Sequence, residues 1–247
     1  MLADALIRLG DDHLILGHRL SEWCGHAPML EEDLALPNIA LDLIGQARAL
    51  YGYAAEVEGA GRTEDDLAYM RLERDYRNLL ITERPNGDFA HTMLRQFYFA
   101  AFHVLWWERL TASTDDQLAA IAGKAVKESR YHLRHTGEWV IRLGDGTHES
   151  RARMAAAQAD LARFTGEFFV SDDVSAKMAE AGLMPDPAKL REPWLASVNP
   201  VMAEATLDAV EANARVLGGR KGQHTEAMGY LLADLQYMQR SFPGLTW

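Results

Sequence analysis

Apolar residues recur along this chain at intervals of three and four, the spacing that places them on one face of an α-helix. Leu6, Leu9, His13, Leu16, Leu20 and Trp23 step by 3, 4, 3, 4 and 3 and predict a first helix of roughly 17 residues. GHAP at 25–28 ends it, since Gly tolerates the C-cap conformation and Pro cannot continue the ladder. Past the acidic link EED, Pro37 suits the first turn of a second helix over about 36–58, with Ile39, Leu43, Ala47, Leu50 and Ala54 as its face. GAGR at 59–62 breaks that helix, DDLAYMRLERDYRNLL reads as a highly charged helix, and RPNGD at 84–88 is a turn.

A third helix over about 88–111, FAHTMLRQFYFAAFHVLWWERL, is aromatic on nearly every side, the pattern of a helix buried all round. Ser113 or Thr114 of STDD can cap a fourth over about 115–143, which GDG stops. In a fifth, Met154, Ala157, Leu161, Phe164 and Phe168 step 3, 4, 3, 4. The stretch 171–200 is punctuated by Pro and carries small helices at most. A last helix begins near Gln223, with Met228, Leu231, Leu235 and Met238 as its face. No strand alternation and no repeat is visible. The pattern predicts an all-α fold: a ferritin-like four-helix bundle core with additional C-terminal helices, in one domain over 1–247. The core hairpins fall at about 5–58 and 88–143, and the extra helices at about 63–83 and 150–241.

Composition narrows the function classes. A net charge of −11, from 36 acidic and 25 basic residues, repels phosphate backbones and argues against nucleic acid as a partner. No apolar run reaches the ~18 residues of a membrane span, and MLADALIRLGDDHL lacks the basic end and apolar run of a signal peptide. The lone Cys24 suits a reducing cytoplasm and reads as a small core residue rather than a nucleophile. Six Trp, eight Tyr and eight Phe argue for a thick core or a large protein interface.

Long antiparallel helices with acids and histidines invite a test for a di-iron site. That plan takes one Glu from each of two helices and a Glu-x-x-His pair from each of the other two. Residues three apart share a face, so both side chains of such a pair reach one metal. Glu22 and Asp42 lie at comparable depth in the first hairpin, but Gly45 stands three residues after Asp42. In KESRYHLRH, Tyr131 stands three residues after Glu128, and no Asp or Glu occurs between Phe89 and Trp107 to oppose it. His132 is displaced by about 100°, which aims it off the shared axis. Two readings remain: a degenerate site whose polar groups satisfy one another, or a working di-iron oxygenase using Glu22, Asp42, His103, Glu128 and His132.

Several blocks in order, RLGDDHLILGHRLSEWCGHAP, LPNIALDLIGQARALYGYAAE, ERPNGDFAHT, KESRYHLRH and GGRKGQHTEAMGYLLADLQYMQR, resemble the C subunits of phenylacetyl-CoA epoxidase complexes. The resemblance covers nearly the whole chain, from Leu6 to Trp247. It implies a component of a bacterial monooxygenase of phenylacetate catabolism. A related A subunit then carries the di-iron centre, and a reductase subunit supplies electrons from NADPH. This chain is then a structural paralogue that pairs with A, binds no metal or other cofactor itself, and has no catalytic residue. The resemblance also places Asp75, Tyr76, Arg77 and Asn78 nearest the CoA substrate; the short stretch Ala176, Lys177 and Met178 is a second candidate contact, or simply a surface helix.

Three segments keep two readings each. In ERDYRN, Arg can pair with phosphate, Tyr can stack on adenine and Asn can bond its edge; the alternative is an exposed, salt-bridged helix face. GGRKGQHT fails the phosphate-loop pattern, leaving anion binding at a helix N-terminus or a tight turn that docks the last helix. FYFAAFHVLWW lines a pocket for a phenyl ring, or serves the core and a subunit interface. Because Trp106 and Trp107 are adjacent and face different ways, a partner helix is expected to cover one of them.

Overall fold

A computed structural model describes residues 1–245; Thr246 and Trp247, included in the expected domain, lie outside the described residues. The secondary structure is helical, with no strand among the described residues. The chain divides into two compact units: Met1–Pro85 with the segment from Gly218 onward, and Asn86–Leu217.

In the first unit, α1 (Leu2–Ser21) and α2 (Leu30–Glu58) form an antiparallel hairpin. A Cβ added at Gly10 would meet the Tyr51 ring at 2.6 Å, and one at Gly17 would lie 3.0–3.3 Å from Ile44, Ala40 and Leu43. Glycine at these two positions lets the helices approach closely. α2 starts six residues earlier than Pro37 suggested. Glu31, Glu32 and Asp33 are its first turn, where carboxylates favour the positive end of the helix dipole, and Pro37 is tolerated inside it. The earlier start shifts the register, so Gly17 rather than Glu22 lies opposite the turn of α2 that contains Asp42.

The expected charged helix over 63–83 is mostly absent. Thr63 and Asp66 form a capping box for α3 (Glu64–Tyr69), and the chain then passes through 3-10 turns at Glu73–Asp75 and Leu80–Glu83. Two carboxylates on α1 capture the backbone here. Asp11 accepts the Arg77 N–H at 2.7 Å and Asp12 accepts the Leu79 N–H at 2.7 Å, donors that a continuous helix would have used internally.

The second unit holds α4 (Phe89–Leu110), α5 (Asp116–Gly144), α6 (His148–Leu161), α7 (Asp173–Glu180) and α8 (Arg191–Glu204). α6 stops at Leu161 and continues as a 3-10 stretch, Ala162–Phe169, yet all five of its predicted apolar positions are buried. α8 is longer than the small helices expected before Pro200 and includes that proline. Phe102 stacks on Phe168 at 4.9 Å, Trp194 packs on Phe169 at 5.5 Å, and Trp194 Nε1–H donates to the Tyr98 carbonyl at 3.1 Å. The aromatic run of α4 is therefore core. Trp106 and Trp107 are both buried within the chain, at 8% and 0% exposure, so the expectation that one of them needs a partner helix is overturned.

The cap of α5 is Asp115, not Ser113 or Thr114. Its carboxylate accepts the Leu118 N–H at 2.9 Å, while Ser113 Oγ donates to the Leu183 carbonyl. Asp115→Ala is expected to cost about 1 kcal/mol and Thr114→Ala less than about 0.5 kcal/mol in urea unfolding; the reverse order would assign the cap to Thr114.

The last helix, α9 (Glu226–Ser241), belongs to the first unit. Its buried face is Met228, Leu231, Leu232 and Gln236, while Met238, expected on that face, is exposed. Cys24, expected in the core, is exposed in the turn after α1. No helix among the described residues is long and apolar enough to cross a membrane.

Candidate functional site

The metal-type positions do not occupy the buried faces assumed for them. On α2 the buried positions include Leu43 and Gln46, leaving Asp42 half-buried and Gly45 open, with nothing within 4 Å of an added Cβ. Glu22 is exposed just past α1 and pairs with Arg19 at 2.7 Å. On α5 the core face runs through Leu118, Ala122, Ala125, Ser129, His132, Thr136 and Val140. His132 is thus buried (1% exposed) rather than turned off axis, whereas Tyr131 is 41% exposed. Glu128 sits at the edge of that face, 3.7 Å from Lys124. His103 on α4 is buried, its Nδ1 3.1 Å from the Phe99 carbonyl and its ring stacked on Phe99. Among the described residues no group of three or more His, Cys, Asp or Glu could hold a metal ion. The donor chemistry agrees: Gly45 offers no ligand, Tyr131 faces outward, and Phe89–Trp107 holds no carboxylate. The positions that the di-iron pattern assigns to Gly45, Tyr131 and a third-helix carboxylate do not fit its ligand set.

The chemistry of the first unit is concentrated around 73–79. Asp11, fully buried, forms a bidentate pair with the Arg71 guanidinium and accepts the Tyr51 hydroxyl at 2.6 Å. Burial, followed by the Asp11 charge, pushes the Tyr51 phenol well up and keeps it a donor. Asp12 pairs with Arg220 at 2.7 and 3.0 Å; burial pushes its carboxyl up to about 6, against the pull of Arg220 and of the Leu79 N–H. The Tyr76 hydroxyl donates to the Ala68 carbonyl and accepts from Gln236, and Arg71 covers the Tyr76 ring at 4.1 Å. Asn78 donates to Glu83 at 2.9 Å and to Thr82.

ERDYRN is thus neither a helix end nor a wholly exposed face. Tyr76 and Asn78 are committed inside the unit, and the segment presents Asp75 and Arg77 outward. These two, with Asp4, Ile7, Arg8, Arg62 and Arg71, line a cavity of about 400 Å³. Arg62 is held by Glu58 at 2.6 and 2.7 Å. The Arg77 guanidinium donates to the carbonyls of Arg74 and Tyr76. Of the four arginines around this cleft, Arg71 is paired with Asp11 and Arg62 with Glu58, and Asp4 and Asp75 line it too, so its means of holding an anionic group rest on Arg8 and Arg77. The other stretch, Ala176 to Met178, lies on α7 in the second unit; Ala176 and Lys177 are exposed and Met178 is buried.

GGRKGQHT docks the last helix. Gly222 turns at φ 69°, Arg220 is drawn to Asp12, and His224 sits between Glu83 Oε2 (2.8 Å) and the Tyr76 carbonyl (3.1 Å). A sequence reading misses Asp11, Asp12 and Glu83 as anchors, although the pair of acids interrupting the apolar stripe of α1 at LGDDHL was a visible signal.

Burial disfavours the charged His224 ring, but its hydrogen bond to Glu83 and the Glu83 charge outweigh this, and its pKa lies above the ordinary 6.5. A histidine raised in this way stabilises the fold fully below its unfolded pKa and loses that contribution as pH rises through the folded one. His224→Gln is therefore expected to cost about 1.5–3 kcal/mol near pH 6 and clearly less near pH 9. An equal loss at both would show that the charge on the ring contributes nothing to stability.

The family model described as phenylacetic acid catabolic protein matches residues 1–247. The C subunit of the 1,2-phenylacetyl-CoA epoxidase of Escherichia coli (strain K12) is 51% identical over 241 residues, covering 98% of this chain and 97% of that protein.

Proposed function

Because this chain belongs to the phenylacetic acid catabolic protein family, whose all-α, ferritin-like fold it shares, we propose that it is the non-catalytic C subunit of a 1,2-phenylacetyl-CoA epoxidase. In this reading it pairs with the di-iron oxygenase A subunit and supports it, in the cytoplasm. Iron resides in A, and NADPH delivers electrons through a reductase subunit. The observation that carries the reading is the 51% identity extending over 98% of the chain. The poor fit of Asp42, Gly45, Glu128 and Tyr131 to a ligand set supports the absence of a metal centre in this subunit. The arginine-lined cleft beside Asp75 and Arg77 suits the phosphates of CoA.

Co-expression with the oxygenase subunits, followed by complex mass and iron content, tests this. A stable complex containing iron, with an iron-free isolated chain, is expected. Two irons per isolated chain would instead favour a di-iron oxygenase built on Glu22, Asp42, His103, Glu128 and His132. Within the complex, Arg77→Ala is expected to weaken CoA binding about tenfold, the loss of one charge-assisted contact; unchanged binding would remove CoA from this cleft.

A further inference from the structure

KESRYHLRH has one face in the core and another that the proposed function leaves unused. Along α5, Lys124, Lys127, Arg130, Tyr131, Arg134 and Arg142 are all exposed. They follow one another by three or four residues, apart from the adjacent pair at 130–131 and the step of eight from Arg134 to Arg142. Midway along that step the exposed Glu138 stands on the same face, the one acid within the stripe. The spacing puts the basic residues and Tyr131 on the side away from Leu118, Ala122, Ser129 and Thr136. The stripe runs about 27 Å along the helix. Residues 124–142 hold five of the chain's 25 Lys and Arg but only two of its 36 Asp and Glu, so the rest carries 20 basic against 34 acidic. A basic stripe on so acidic a chain is not the average solvated face.

Its charges are only partly answered from within. Arg130 pairs with Glu108 at 2.8 Å, and Lys124 lies 3.7 Å from Glu128. Among the described residues, Lys127, Arg134 and Arg142 have no carboxylate partner. Arg134 lies over the Tyr131 ring at 5.7 Å, and Arg142 over Trp139 at 4.9 Å. An exposed Tyr with a stacked Arg, amid basic residues, is the composition that carries binding energy at protein interfaces.

We propose that this outer face of α5 is a docking surface for an acidic face of another protein subunit, an inference that rests on the reading of the chain as a subunit. Charge complementarity identifies the partner. The stripe is too long for a single phosphate group. It exposes no large apolar side chain except Tyr131 to enter a membrane. The surplus of acids elsewhere on the chain opposes a nucleic acid.

The test compares wild-type chain with Lys127→Glu/Arg134→Glu/Arg142→Glu, each mixed with the co-purified remaining subunits at low and high salt. Wild type is expected to bind more weakly as salt rises. The triple variant should bind at least about tenfold more weakly at low salt and lose most of the salt dependence. Thermal melting confirms that it folds; should it not, Arg134→Glu alone is expected to weaken binding about threefold. The charge-conserving Lys127→Arg/Arg134→Lys/Arg142→Lys should bind like wild type. Unchanged affinity and salt response in the charge-reversed variant overturns the stripe while leaving the subunit reading intact. Loss of binding in the charge-conserving variant, or a stripe-dependent affinity for anionic vesicles or DNA with complex assembly intact, also overturns it. If wild-type chain forms no complex at all, the subunit reading falls and the docking surface with it.

Discussion

Asp11→Ala is expected to lower the stability of the isolated chain by about 3–5 kcal/mol. Asp11 is fully buried and answers three groups at once: the Arg71 guanidinium, the Tyr51 hydroxyl and the Arg77 N–H. Truncating it leaves Arg71, only 8% exposed, as a buried charge without its counter-ion, which costs far more than the pair itself contributes. The loss should fall on the segment that lines the arginine cleft, because Arg71 and the Arg77 N–H hold that segment to α1. Urea unfolding measures it, and a loss under about 1 kcal/mol would mean that water or another acid replaces Asp11. The double variant Asp11→Leu/Arg71→Met removes both charges and is expected to recover much of the stability.

Trp107→Ala should cost the isolated chain about 3–5 kcal/mol. The indole is wholly buried within the chain and packs 6.1 Å from the His103 ring, so its removal opens a cavity the surrounding rings cannot fill. The measurement is made without any partner subunit. A variant that melts like wild type alone but no longer assembles would place the indole in an interface, the outcome the adjacent tryptophans suggested before their burial was visible.

Helix periodicity made most of the fold legible. The hairpins expected over about 5–58 and 88–143 correspond to α1 with α2 and α4 with α5, because amphipathic stripes report which residues face the core. Periodicity also gives the rotation of each helix and leaves open the register between helices; the one-residue error enters with the metal-site alignment, which departs from the apolar stripe. On α5 the apolar residues Leu118, Ala122 and Val126 point to a face through 129 and 132, but alignment on Glu128 placed it through 128 and 131. On α2 the same one-residue offset put Asp42 and Gly45 on a face that belongs to Leu43 and Gln46. One residue is about 100° of rotation, enough to exchange buried for exposed.

The candidate site was less legible. ERDYRN has the local composition of a charged helix, and helix propensity is weak enough for tertiary contacts to override it. Asp11, Asp12 and Glu83 bend it into turns from positions 66, 67 and five residues away. Arg220 and His224 then tie the C-terminal segment to the same place.

By itself the sequence determined the helical class, the two long hairpins, the acidic surface and the family likeness, since each is written in local spacing, composition or ordered motifs. Only the tertiary structure decided which polar residues are buried, that both adjacent tryptophans are covered, and that KESRYHLRH divides into a core face at Ser129 and His132 and a basic outer face. The physical reason is that a buried charge is fixed by partners distant in sequence. The identity of those partners leaves no local signature in the chain, whereas the rotation of each helix is written in its apolar stripe.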